Sequence, residues 1–171
     1  MPRFDEEYMN NMEHRITKKR GLAMGLRRPV SYILTEDEIS KLKEEAESIG
    51  IPVKKLLFNQ GRQTGFRDRD AMIYIRGDVL PDMNSVAARD RMSSRAVLAH
   101  EYYGHYKSHP SEYEPGDWRD EFRASYNAAV NTPNLTDEER ASLMIDAYER
   151  AKEAGEFKGY DETARRIIYG Y

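Results

Sequence analysis

His100-Glu101-Tyr102-Tyr103-Gly104-His105-Tyr106-Lys107-Ser108-His109 is the stretch on which the reading of this chain turns, and it holds three of the four histidines. Neutral imidazole is a common zinc ligand, and a glutamate beside it is suited to act as a general base. Ser93 or Ser94 can cap a helix that starts near Arg95, and Pro110 stops it, so the pattern predicts a helix over about 95–109. On a regular α-helix each residue turns by about 100°, so residues i and i+4 lie about 40° apart and residues i and i+5 about 140° apart. His100 and His105 therefore cannot share an ion on an ordinary helix. A π-type turn, with i→i+5 hydrogen bonds, returns them to one side. Gly104 is well placed to permit it, because glycine tolerates unusual backbone angles. The expectation is a widened turn between residues 100 and 105. A second geometry stays open: Glu101, His105 and His109 follow at i, i+4 and i+8 and share a face without distortion.

Working outward, Ala71–Arg76 (Ala-Met-Ile-Tyr-Ile-Arg) is the best strand upstream of this helix, and Val30–Leu34 reads as another. Between them, Thr35-Glu-Asp-Glu38 is a capping box opening a helix that Gly50 and Pro52 close. Residues 53–58 are ambiguous between strand and helix, and the polar stretch 59–70 reads as a loop. Downstream, Asp117 can cap a helix from Trp118 to about Val130. Thr136-Asp-Glu-Glu139 is a second capping box for a helix to about Ala154, and a last short helix is expected from Glu162 to Tyr169. The order implies an α+β fold, a small mixed sheet with helices packed on it. Near the start, Phe4, Tyr8, Met12 and Ile16 fall at helical spacing. Basic residues 18–28 follow, so 1–28 is read as a helix with a basic arm and 29–171 as the domain proper.

Composition narrows the chemistry. The 171 residues contain no cysteine, which excludes disulfides and thiolate zinc sites, so any metal must be held by His, Asp or Glu. One third of the residues are charged, yet the net charge is only -3, which selects no polyanionic partner for the whole chain. No apolar run approaches the ~18 residues of a membrane span. The first residues, Met-Pro-Arg-Phe-Asp-Glu-Glu, show no apolar signal region. A cytoplasmic location is expected, with non-Sec export left open. The basic stretch lacks interleaved aromatics and reads as a solvated linker more readily than as a nucleic-acid surface.

Two histidines need a third ligand, and Asp117, Asp120 and Glu121 on the following helix are the candidates. The histidine run comes within one residue of the zinc-protease signature His-Glu-x-x-His. Its form here, His100-Glu101-x-x-Gly104-His105, resembles the His-Glu-x-x-Gly-His motif of the dipeptidyl peptidase III family of zinc peptidases. Asp120-Glu121-Phe122-Arg123-Ala124-Ser125 is similar to that family's Glu-Glu-x-Arg-Ala-Glu motif, with Asp120 and Ser125 in place of its first and last glutamates. The resemblance covers about 26 residues of a chain several times shorter than family members. It implies His100, His105 and Glu121 as ligands of one zinc ion, Glu101 as general base, and a minimal zincin of the gluzincin type. Zincins carry an edge strand beside the metal helix, antiparallel to bound peptide, and residues 71–76 are expected in that role.

The chemistry that follows is amide hydrolysis by a metal-activated water, with a peptide or protein as substrate. Tyr126, with Tyr113, Tyr160, Tyr169 and Arg123 behind it, is the candidate donor to the oxyanion, and Asp120 is expected to orient a histidine. Manganese, iron and nickel fit the same ligand types. Two other readings stand beside the peptidase: a non-catalytic, metal-containing module that binds a peptide or protein, and a nucleic-acid accessory protein that uses the basic arm.

Overall fold

In the computed structural model, residues 28–86 and 88–171 are described; the expected N-terminal helix and nearly all of the basic arm lie outside them. The fold is α+β, a three-stranded mixed sheet packed among helices. The elements are α1 (Glu36–Ser48), β1 (Leu56–Phe58), β2 (Gly65–Arg67), β3 (Met72–Ile75), α2 (Ala88–Arg91), α3 (Ser94–Ala99), a π-helix (His100–Tyr106), α4 (Trp118–Asn131), α5 (Asp137–Glu153) and α6 (Glu162–Tyr169). Among the described residues, no helix is long and apolar enough to cross a membrane.

The helix starts follow their capping chemistry. Thr35 and Thr136 each accept from the backbone N–H three residues on, while Glu38 and Glu139 return the bond to the cap amide. Ser93 caps α3 and Asp117 caps α4. Leu42, Ile49, Ile73, Ile75, Leu98, Leu143, Met144 and Ile168 are fully buried and join α1, the sheet, α3, α5 and α6 in one core. Burial of such side chains stabilises by about 1.5–3 kcal/mol each, and dominates folding.

The sheet departs from expectation in an instructive way. Its order is β1-β3-β2, with β1 parallel and β2 antiparallel to β3. The strand expected at the edge, 71–76, is thus the central one, paired through Ile73 to Leu56 on one side and to Phe66 on the other. Its unbroken Ile73-Tyr74-Ile75 burial is what a strand covered on both faces looks like. The edge beside the metal helix is β2, inside the stretch read as a loop. Three residues, Gly-Phe-Arg, are too few to show a period, and short, charged strands are how edges avoid further pairing. Thr64 sets its entry by donating to Asp78 (2.6 Å) and accepting from the Arg76 amide (3.0 Å).

Val30–Leu34 is not a strand. The Asn59 side chain satisfies the Leu34 amide (2.8 Å) and carbonyl (3.1 Å), replacing a ladder partner. The metal-motif helix also ends sooner than expected, at Tyr106 instead of about 109.

Candidate metal centre

The histidine helix begins as a regular α-helix and changes winding at His100. From there to Tyr106 it is a π-helix, closed by a bond from the Lys107 amide to the Tyr102 carbonyl at 2.8 Å. The extra residue per turn does what the spacing requires: the His100 and His105 rings lie 4.8 Å apart between centroids, and their Nε2 atoms are 3.2 Å apart.

Gly104 contributes differently from the sequence argument. Its φ is not among the positive ones, so it supplies no unusual backbone angle. A Cβ here would instead collide with the Ala124 carbonyl of α4. Gly104 is therefore the point at which the π-helix and α4 touch backbone to backbone. Glu121 stands one turn before Ala124 and is delivered to the imidazoles by that contact.

Glu121 Oε2 lies 3.0 Å from His100 Nε2 and 3.5 Å from His105 Nε2. Bonds of about 2.0–2.2 Å to a tetrahedral zinc separate neighbouring donors by about 3.3–3.6 Å. The donor triangle, with sides of 3.0, 3.2 and 3.5 Å, comes close to these separations, two sides falling slightly inside them.

The local field favours positive charge. His100 and Glu101 are buried, as is Asp120. Burial opposes a charge on His105, yet its hydrogen bond to Glu121 and the charges of Glu101, Glu121 and Asp120 overcome it and raise its pKa to about 9. Burial likewise resists ionisation of Glu121, and the two imidazoles reverse that and hold its carboxyl well below the usual range. The two imidazoles and three carboxylates bring together groups that could hold a metal ion.

A second layer stands behind each histidine. Asp120 Oδ2 is 3.5 Å from His105 Nδ1, and its other oxygen accepts from Arg123 at 3.1 Å. Asp120, expected to orient a histidine, thus lies beside the His105 ring as an ion-pair neighbour. Arg123 is spent on Asp120 and on the Ser108 carbonyl (3.0 Å). His100 Nδ1 is 2.7 Å from Ser125 Oγ, whose hydroxyl donates to Asp146 Oδ2 at 2.6 Å. Asp146 was not picked out from the sequence. The available signal was an acid in a run of buried positions, Leu143-Met144-Ile145-Asp146-Ala147, on α5.

Glu101 faces the same centre from the other side. Its Oε2 accepts from the Phe66 amide of β2 at 2.8 Å, and its Oε1 is 3.8 Å from His100 Nε2. The alternative His105/His109 pair does not form: His109 is half exposed, 3.4 Å from Asp68. Asp117 is occupied as the α4 cap and with Arg119. Tyr126 is not brought to the triad. It follows Glu121 by five residues, about 140° round α4, and its hydroxyl donates to Asp161 at 2.6 Å. It lines a groove of about 580 Å³ with Trp118, Phe122, Tyr148 and Phe157. Tyr113 lines the same groove, while Tyr160 and Tyr169 pack on each other (6.1 Å).

No protein-family model matches the chain, and no curated protein or solved structure is significantly similar to it.

Proposed function

We propose that this protein is a zinc-dependent peptidase of minimal zincin type, with His100, His105 and Glu121 as ligands of one ion and Glu101 as general base. The observation that carries the reading is the convergence of Nε2, Nε2 and Oε2 into a triangle close to zinc dimensions, reached only because the helix is π-wound.

Zinc, when bound there, supplies a Lewis acid that acidifies water and polarises a carbonyl. Glu101 does the proton work. The Phe66 amide holds Oε2 and leaves Oε1 toward the centre, where it takes a proton from the attacking water. Water oxygen bonds to the carbonyl carbon, the C–N bond breaks, and Glu101 passes the proton to the departing nitrogen. Asp120 keeps the His105 ring in place throughout. β2, the outer strand next to Glu101, takes the edge-strand role expected of 71–76 beside an extended peptide, with its Phe66 amide already given to Glu101.

The test is metal analysis joined to a peptide-library digest. The reading expects one zinc per chain, lost in His105→Ala, and cleavage by the wild type that disappears in Glu101→Gln while the zinc remains. A wild type that takes up no zinc overturns it. Stoichiometric zinc with no cleavage of any peptide replaces it with the non-catalytic binding module.

A further inference from the structure

We infer that Ser125 and Asp146 form a relay that fixes a proton on His100 Nδ1, and so leaves Nε2, which lies 3.0 Å from Glu121 Oε2, as the atom that gives its lone pair to the ion; this rests on the zinc reading above. A serine hydroxyl has one proton to give. Asp146 lies in reach of Arg89 and Arg150, with Oδ1 3.7 Å and 3.4 Å from their Nε atoms, and Oδ2 3.5 Å from Arg150 Nη2. Burial pushes its carboxyl up, and the two guanidinium groups outweigh that and keep it ionised. An ionised carboxylate only accepts, so Ser125 donates to Oδ2 at 2.6 Å. Its oxygen is then left to accept from His100 Nδ1 at 2.7 Å, which places the imidazole proton there.

The chain of contacts runs from Arg89 and Arg150 to Asp146, to Ser125, to His100, and joins four helices, α2, α5, α4 and the π-helix. Asp146 and Ser125 are fully buried, and the His100 ring is nearly so, which leaves water little access to reset the proton. Ser125 is also where the chain departs from the Glu-Glu-x-Arg-Ala-Glu pattern. The Ser125 hydroxyl reaches the ring at 2.7 Å but carries no charge, and Asp146 supplies the charge one bond further back. Ser125 and Asp146 are positioning residues: they act on the ligand and touch neither substrate nor metal.

The substitutions separate the relay from simple packing. In Asp146→Asn, the guanidinium contacts on the Oδ1 side, ion pairs of 3.4 and 3.7 Å without a hydrogen bond, favour the amide oxygen there over the NH2, which then faces Ser125. The serine must then donate to His100 Nδ1, and the ring proton moves to Nε2. Ser125→Ala removes the link but leaves Asp146 with its arginines. Ser125→Thr restores the hydroxyl.

The experiment uses the full chain and two measurements: zinc affinity by competition with a chromophoric chelator, and the protonation of His100 Nδ1 by nitrogen-15 NMR of the imidazole, with and without zinc. The expected result is a protonated Nδ1 in the wild type and in Ser125→Thr, with equal zinc affinity. Asp146→Asn should lose the Nδ1 proton and bind zinc about 10–100-fold more weakly. If Asp146→Asn does not fold, Ser125→Ala decides alone, with weaker zinc binding and a ring no longer held as the Nδ1–H form. Wild-type affinity in folded Asp146→Asn or Ser125→Ala, or an unprotonated Nδ1 in the wild type, overturns the relay. A wild type that binds no zinc overturns the metal centre instead, and the imidazole spectrum of the metal-free chain still decides the relay.

Discussion

Two clusters of buried charge lie within one helix diameter of each other, and they are built on opposite plans. Around His100, His105 and Glu121 the donor atoms converge on a common point. On α5 the charges spread apart: Asp146 turns to Ser125 and two guanidinium groups, and Glu149, one turn later, has no hydrogen-bond partner for either oxygen among the described residues. Both clusters cost desolvation energy. Only the first leaves a gap of ionic size between atoms that a cation can satisfy together. Burial of charge does not by itself mark a site; convergence does.

That contrast can be broken at four places. Glu121→Ala removes one corner of the triangle and should weaken zinc binding on the order of 10³-fold, measured by calorimetry, with the fold retained by circular dichroism. Unchanged affinity would mean that the ion is held elsewhere. Glu101→Gln should keep the zinc and lower peptide hydrolysis by about 10²–10⁴-fold, the usual share of a general base. Gly104→Ala tests how the convergence is enforced. Its methyl group has only the Ala124 backbone to displace, so chemical denaturation should report a loss of about 3 kcal/mol, with weaker zinc binding.

The smallest effect belongs to the divergent cluster. Burial first, then the charge of Asp146, raises the Glu149 pKa to about 8, against the partial opposition of Arg89 and Arg150. Glu153 also raises it. The folded state therefore keeps a proton that the unfolded chain loses near its ordinary value of 4.5. The resulting stability is full below that value and drains away as pH rises through about 8. Glu149→Gln does not titrate, so its Tm should gain on the wild type between pH 5 and pH 9, ending several degrees higher, with zinc affinity unchanged. A parallel pair of Tm curves would show that Glu149 has a partner in solution.

Features set by neighbours in sequence were legible in it. Caps at Thr35, Ser93, Asp117 and Thr136 mark helix starts because the bonding is confined to three or four residues. The π-helix was legible for another reason: the interval from His100 to His105 makes no sense on a regular helix. What escaped depends on contacts between distant segments. Leu34 reads as strand until Asn59 takes its backbone bonds. β2 is recognisable only from its pairing with β3 and the hold of its Phe66 amide on Glu101. Tyr126 was a reasonable candidate by composition, and the turn of α4 carries it round to Asp161. The pairing of Ser125 with Asp146 joins residues 21 apart on two helices, which no local pattern announces.

The contact between Gly104 and Ala124 also acts as a gauge for the size of guest the molecule can accept. Two ligands ride on one rigid helix and the third on another, and the two backbones already touch, so the opening between them cannot widen without prising the helices apart. Calcium asks for six to eight oxygens at about 2.3–2.6 Å and finds here a narrow, nitrogen-rich corner. In the proposed zinc centre, selectivity for a small, borderline ion would follow from helix packing, and a millimolar excess of calcium should leave the corner to its smaller rival.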